Sequence, residues 1–499
     1  LKALSPFLPK TFQYFGIWAL CCFVLLSWFT WKLISLFTKD IPIRTLGTGL
    51  IIFTVPLLNL FPENPALASL FLVLAALYLS LNKSNNFPFI AWLFLLVATS
   101  LIHFYLFVLV GAIWGASILD NVFIRKCLPI NKALAIFTAS IISVLSACYL
   151  AGYFSIKSVG AFGYGVFKIN VLGLLNPAGW SIVTNEIYTK PHWWAEEPIY
   201  LGLGGILLLI IAITNITKLS DLIKIIFRNH PFLLILLFLL TLFSISNNIA
   251  IGHHEFSLPV PEKFIGIASI LRSSGRMFIP VYYLLLIVGC YLVALKFSRK
   301  TALLILSICL AIQILDLSKG WLDVRQRMTS IEPFPYSKLP LDHDLWSSVS
   351  NHYKNIIVIP SRFNLQTDFM SRFLAKEWRI FGRFASINNL GTNAVMLARY
   401  DEPKVLQENK NYLAALNTGT LSSENLYIVD PEEANTAACT KLRMQDDLFT
   451  KLDGFFIYAP SYYNRQGRLK QDEVIPSTAP IINPQNPTSA IYALCGTWS

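Results

Sequence analysis

The chain has 499 residues, of which 55% are hydrophobic and only 14% charged. A soluble protein of this length would carry about 25% charge, so the composition, with a mean hydropathy of +0.56, identifies a polytopic membrane protein. The net charge of +12 does not argue for nucleic acid, because the basic residues concentrate in short connections between apolar runs.

The first residue is Leu1, and residues 2–10 have no signal-peptide layout. The expectation is that a natural N-terminal segment precedes it. The first clear span is 12–37, followed by short apolar runs at 46–61 and 66–81 that are separated by Pro62 and Pro65. The run 87–119 is too long for one straight span and is interrupted by His103 and Gly111. Further runs are 133–154, 199–216, 231–251, 277–295 and 301–317, giving about nine spans.

Three connections are basic. They carry Arg125, Lys126 and Lys132; Lys218, Lys224 and Arg228; and Lys296, Arg299 and Lys300. The positive-inside rule assigns these to the cytoplasm. Alternation then assigns loops 155–198 and 252–276, and everything after Asp316, to the outer face. No internal repeat of the transporter kind is visible.

From about Gly320 the composition changes, so the domains are read as 1–319 and 320–499. NIIVIP at 355–360, NLYIV at 425–429 and GFFIYA at 454–459 read as strands. Residues 365–381 and 432–452 read as largely helical. This alternation predicts a small extracytoplasmic α/β domain with a mostly parallel sheet. Six cysteines (Cys21, Cys22, Cys127, Cys148, Cys290 and Cys309) lie in or beside apolar runs and read as buried small hydrophobes. Cys439 and Cys495 fall in the polar region, where an oxidising compartment would favour a bridge between them.

The stretch ILRSSGRMFIPVYY, 270–283, places Arg272 and Arg276 at the mouth of a span. Two cations there need water, acidic partners or anionic groups. They read either as an interfacial anchor, ion-paired to Glu255 or Glu262, or as a clamp for a phosphate-bearing lipid. The pair lies on one face if the helix begins that early.

The first outer loop holds Tyr164 within GYG, then NVLGLLNPAGWS, then Trp193, Trp194, Glu196 and Glu197. Aromatic faces beside carboxylates suit a sugar ring, and tryptophan is equally the ordinary residue of a membrane interface. His253, His254 and Glu255 are metal-ligating types, although adjacent residues point apart. His103 is ionisable within an apolar run, which makes it either a functional residue or a neutral, hydrogen-bonded one. Asp316 reads as a residue that seats the C-terminal domain. No compact catalytic motif is present.

LIHFYL (101–106), GYGVFKINVLGLLNP (163–177), YLGLGGILLL (200–209), LRSSGRMFIPVYY (271–283), IQILDLS (312–318) and MLARYD (396–401) together resemble an uncharacterised family of bacterial polytopic membrane proteins, grouped with GT-C-type glycosyltransferases. The resemblance implies a GT-C membrane core followed by an extracytoplasmic α/β domain, in the bacterial cytoplasmic membrane. It also implies sugar transfer from a polyprenyl-phosphate-linked donor to a cell-envelope glycan or other acceptor, beside a divalent metal in some such enzymes. The acidic catalytic residue of GT-C enzymes follows their first helix. This chain offers only Lys39, Asp40 and Arg44 there, so no catalytic base carries over. A flippase of lipid-linked glycans and a non-catalytic envelope assembly protein are the competing readings.

Overall fold

The computed structural model describes residues 14–82, 87–155, 164–189, 198–214, 227–329, 339–361, 377–395, 402–444 and 446–465, together with Phe7, Ser220 and Lys224. By internal contacts the chain divides into two compact units, 1–155 with 160–330, and 331–499 with 156–159.

The first unit is helical. Its elements are α1 (Phe15–Ile34), α2 (Ile41–Ile52), α3 (Val55–Glu63), α4 (Phe71–Leu81), α5 (Phe89–Ile102), α6 (Phe104–Leu119) and α7 (Ile130–Leu150). Then come α8 (Leu203–Ile213), α9 (Pro231–Ile245), the hairpin β1 (Asn248–Ile251) and β2 (His254–Ser257), and α10 (Glu262–Ala268). The unit closes with α11 (Ile279–Lys296), α12 (Arg299–Asp316) and α13 (Ser318–Thr329).

Four helices are long and apolar enough to cross a membrane: Phe15–Ile34, Phe104–Ile124, Ile130–Leu150 and Ser274–Lys296. Two bent pairs, α2 with the start of α3 at 47° and α12 with α13 at 50°, raise the number to six. The apolar helices α4, α5, α8 and α9 have 11, 14, 11 and 15 residues, short of the roughly 20 a span needs. The described residues thus show four to six candidate spans, and not the nine expected from apolar runs.

The difference lies in breaks that hydropathy does not register. Residues 46–61 bend at Phe53–Thr54, where the backbone leaves the helical region. The run 231–251 stops being helical at Ser246, whose φ is +66°, and continues as β1. The run 87–119 breaks at His103, an extended residue between α5 and α6. Gly111 of α6 faces Leu96 of α5, so the chain reverses at His103 and the two helices form a hairpin. The Tyr153 hydroxyl donates to Ser100 O at 2.9 Å and satisfies one of the last carbonyls of α5.

The basic connections lie at the other end of α6. After a π-helical turn at Asp120–Ile124, buried Asp120 accepts a bond from Phe232 N at 3.0 Å and so caps α9 from a neighbouring helix. Arg125 Nη2 lies 3.4 Å from His230 Nε2. Asp40 caps α2 and is ion-paired with Arg299 at the start of α12.

The second unit contains α14 (Leu345–His352), β3 (Asn355–Ile359), α15 (Glu377–Asn388), β4 (Gly391–Thr392), α16 (Glu402–Thr418), β5 (Asn425–Val429), α17 (Ala434–Arg443), β6 (Leu448–Leu452), β7 (Phe455–Ala459) and α18 (Tyr462–Arg465). The sheet order is β4-β3-β5-β7-β6. β3 pairs parallel with β4 and β5, while β7 runs antiparallel to β5 and β6. The sheet is mixed rather than mostly parallel.

Along β3, Ile356 and Val358 pack in one core with Trp346, Phe381 and Phe384. Ile357 and Ile359 pack in another with Leu416, Ala434 and Ala437. The period of two sends successive side chains to opposite faces, and both faces are covered, which is why the strand is a continuous apolar run.

The stretch 432–452 is helical only through Arg443, and its last five residues form β6. Asp453 and Gly454, with φ of +49° and +87°, supply the two-residue turn to β7. Of the predicted helix at 365–381, residues 365–376 lie outside the described residues. Among the six cysteines read as buried, Cys22, Cys290 and Cys309 are so, whereas Cys21 and Cys127 are exposed. Cys439 on α17 is disulfide-bonded; Cys495 lies outside the described residues.

Candidate functional site

Five of the sequence blocks singled out above meet at one end of the helical unit. Phe167 O accepts from Gly275 N at 2.9 Å, and Ile169 N donates to Ser244 O at 3.0 Å. The Asn170 amide bonds Gly252 in both directions at 2.9 Å, fixing the turn of the β1–β2 hairpin to the loop. Asn176 accepts from Ile187 N at 2.8 Å and donates to Tyr188 O at 3.3 Å. The two asparagines thereby close the loop on itself and on the hairpin.

The loop is anchored to α12. Buried Asp316 accepts from the Tyr200 hydroxyl at 3.0 Å, from Leu203 N at 2.9 Å and from the Ser181 hydroxyl. Gln313, also buried, accepts from Gly205 N at 2.9 Å and donates to Phe53 O at 2.8 Å and Leu201 O at 2.9 Å. The glycines of YLGLGG permit this approach. A Cβ on Gly204 would lie 2.1 Å from Cys309 O, and one on Gly202 2.4 Å from Gln313 Oε1. Asp316, expected to seat the C-terminal domain, seats the 181–203 connection of its own unit.

Beside this anchor lies a cationic and aromatic group. The Arg276 guanidinium sits 5.0 Å from the centre of the Tyr105 ring, a cation–π contact. The Tyr105 hydroxyl accepts from Ser273 N at 2.9 Å. His103, at the hairpin vertex, caps α6 by accepting from Tyr105 N through Nδ1 at 3.3 Å. Burial, and then the Arg276 charge, hold its pKa down at about 4, so at neutral pH the ring is an uncharged acceptor.

Arg272 and Arg276 do not share a helical face. Ser273 is non-helical, a 3-10 turn covers Ser274–Phe278, and α11 begins only at Ile279. Both arginines are half-exposed. Tyr164 packs on Phe243, with ring centres 5.3 Å apart, and burial raises its pKa.

Glu255 is ion-paired with Lys168, whose side chain is 0% exposed. The expected arginine partners are replaced here by a lysine that sequence reasoning passed over. Its signal was a lone cation between Phe167 and Ile169, which needs a carboxylate if buried. His253 lies in the hairpin turn with its ring edge-on to Tyr188, 6.3 Å between centres. His254 is exposed on β2. His253, His254 and Glu255 do not gather: among the described residues no group of three or more metal-ligating side chains comes together. Trp193, Trp194, Glu196 and Glu197 lie outside the described residues, as does the block 396–401.

No curated protein and no solved structure matches this chain. Two family models do match. One is described as Domain of unknown function (DUF6311) and covers residues 1–318; the other is described as DUF6311 C-terminal domain and covers residues 345–460. Neither is a glycosyltransferase model. The boundary between them falls where the helical unit gives way to the α/β unit, and with 318 residues matched by the first the chain belongs to the DUF6311 family.

Proposed function

We propose that this protein is a membrane glycosyltransferase of the GT-C kind, taking a sugar from a polyprenyl-phosphate-linked donor at the extracytoplasmic face of a bacterial cytoplasmic membrane. The acceptor is an envelope glycan or a related molecule, and the α/β unit stands on the same side. The observation that carries this reading is Arg276. Its guanidinium is held over Tyr105 at the end of the helical unit where the sequence blocks converge. A planar fork fixed at that level suits a lipid-borne phosphate. Arg272 supplies a second cation, and Tyr164 an aromatic surface for the sugar. The basic ends of α6 and α12 lie at the opposite end and support the orientation.

A second reading, a flippase or non-catalytic binder of lipid-linked glycans, draws on a different observation. Glu255 and Asp316, the two carboxylates of the network, are both engaged by protein partners, and neither is placed as a general base. The test is to incubate purified protein in vesicles with a radiolabelled polyprenyl-phosphate sugar. Binding weakened about ten- to a hundredfold in Arg276→Ala, together with release of polyprenyl phosphate on adding envelope acceptor, supports transfer. Binding without release supports the second reading, and wild-type protein that binds no lipid phosphate removes both.

A further inference from the structure

Between the β1–β2 hairpin and α11 runs a segment that the helical unit leaves uncovered. All four residues of β2 are exposed, and α10 contains no buried residue. The segment is nevertheless apolar: Phe256, Leu258, Phe264, Ile267 and Ile270 are all exposed, Phe264 to 62% and Ile267 to 60%. On α10 these two are three positions apart and share a face. Glu262 and Lys263 are exposed on the same short helix.

What covers this face follows from where it is tied. The membrane-crossing helix Ser274–Lys296 begins four residues after Ile270. Ser274 is six residues beyond Ala268, the end of α10, and three of those residues form a 3-10 turn, so the link reaches at most about 20 Å and keeps α10 near the level at which that helix would enter the bilayer. Ser274 and Gly275 are fixed there through Phe167. Apolar side chains at that depth, edged by Lys263 and Arg272, have the composition of a helix lying in the membrane interface.

We infer that 254–271 is an in-plane membrane element, with Phe256, Leu258, Phe264, Ile267 and Ile270 set among lipid headgroups and upper acyl chains, and Glu262, on the opposite face of α10 from Phe264 and Ile267, directed to the aqueous side. This is independent of whether the protein transfers a sugar. It makes a lipid surface the boundary of the Arg272–Arg276 region on this side, so a ligand carrying a long apolar tail can reach those cations from within the leaflet.

Nitroxide labels test the inference on the full chain in vesicles of phosphatidylethanolamine and phosphatidylglycerol. Cys21, Cys127 and Cys148 are replaced by alanine, and single cysteines are introduced as Phe264→Cys, Ile267→Cys and Glu262→Cys. Gly266→Cys adds a second position on the aqueous face, where a new Cβ meets nothing within 4 Å, so that arm of the test survives if Glu262→Cys misfolds. Labels at 264 and 267 are expected to collide several-fold more with oxygen than with an aqueous nickel chelate, and labels at 262 and 266, on the other face of the helix, to show the reverse. Equal access of the chelate to 262 and 264 would overturn the inference. So would low access of both reagents at 264 and 267, with spin–spin broadening that dilution by unlabelled protein removes indicating a second copy, and its absence another protein surface.

Discussion

The Tyr200 hydroxyl donates to Asp316 at 3.0 Å across 116 residues of chain. The Leu203 amide and the Ser181 hydroxyl converge on the same carboxylate. Removing it strands three donors, two buried and one half-buried, each costing about 1–3 kcal/mol when left unpaired away from water. Asp316→Ala is expected to lower stability by roughly 3 kcal/mol or more, read as a fall in the melting midpoint of detergent-purified protein. Asp316→Asn keeps the shape and part of the acceptor capacity, and should fall between the two.

Gly204→Ala should be severely destabilising, because the new methyl would meet a backbone carbonyl of α12 that has no room to retreat. Gly115→Ala on α6 is the control. Its Cβ meets nothing within 4 Å, and alanine in a helix is favoured over glycine by about 1 kcal/mol. Parallel expression and melting of both variants checks this; similar behaviour would show that α8 and α12 do not pack as closely as described.

Arg276→Ala is expected to weaken polyprenyl-phosphate binding roughly ten- to a hundredfold, the worth of one charge-assisted contact. Arg276→Lys should recover only part of it, since an ammonium does not reproduce the fork. Tyr105→Phe keeps the ring beneath the guanidinium and deletes the bond to Ser273, so it separates cation placement from loop placement. Unchanged lipid binding in Arg276→Ala with a large loss of melting temperature would leave the arginine a structural role only.

His103 gives a pH signature. Its folded pKa of about 4 lies below the ordinary imidazole value of 6.5, so between those values the unfolded chain binds more protons than the folded one. Stability should therefore be constant above about pH 6.5 and fall as the pH drops toward 4. His103→Asn retains a capping acceptor without the titration, and its melting temperature should fall less over that window. An identical slope in both proteins would place the acid sensitivity elsewhere.

Sidedness is open to a direct check. Asn185 and Ser422 are both exposed, one in each unit. Cysteines at these positions should react with an impermeant maleimide on intact cells, whereas one at Lys132 should react only after lysis. Non-reducing peptide mapping should in addition find Cys439 linked to Cys495. Protection of both outer positions until lysis would reverse the proposed orientation.

Much of this architecture was legible from residue pattern. The strands at 355–359, 425–429 and 455–459 are short, β-branched and aromatic runs bounded by polar residues, and they form where expected. The blocks 101–106, 163–177, 200–209, 271–283 and 312–318 converge on one network. What stayed hidden depends on partners far away in sequence. A run such as 231–251 is apolar throughout, and period alone does not reveal that Ser246 turns it from helix to strand. The β6–β7 hairpin was missed although Asp453–Gly454 is its turn, because Leu448–Leu452 follows directly on a helical stretch. Lys168, passed over in the sequence, gains its meaning only from Glu255, 87 residues on.

The reversal at His103 has a mechanical consequence for the surrounding lipid. At 1.5 Å per residue, the 14 residues of α5 span about 21 Å, against a hydrocarbon core of about 30 Å. Ile90, Phe94 and Leu101 are nonetheless exposed along this helix and present a full apolar flank. Lipid that followed this flank from end to end would have to pinch inward, at a cost of a fraction of a kcal/mol for each ångström of mismatch. The apolar flank of α5 is thus about 10 Å shorter than that of α7, which runs its full 21 residues, so the two flanks match apolar layers of different thickness.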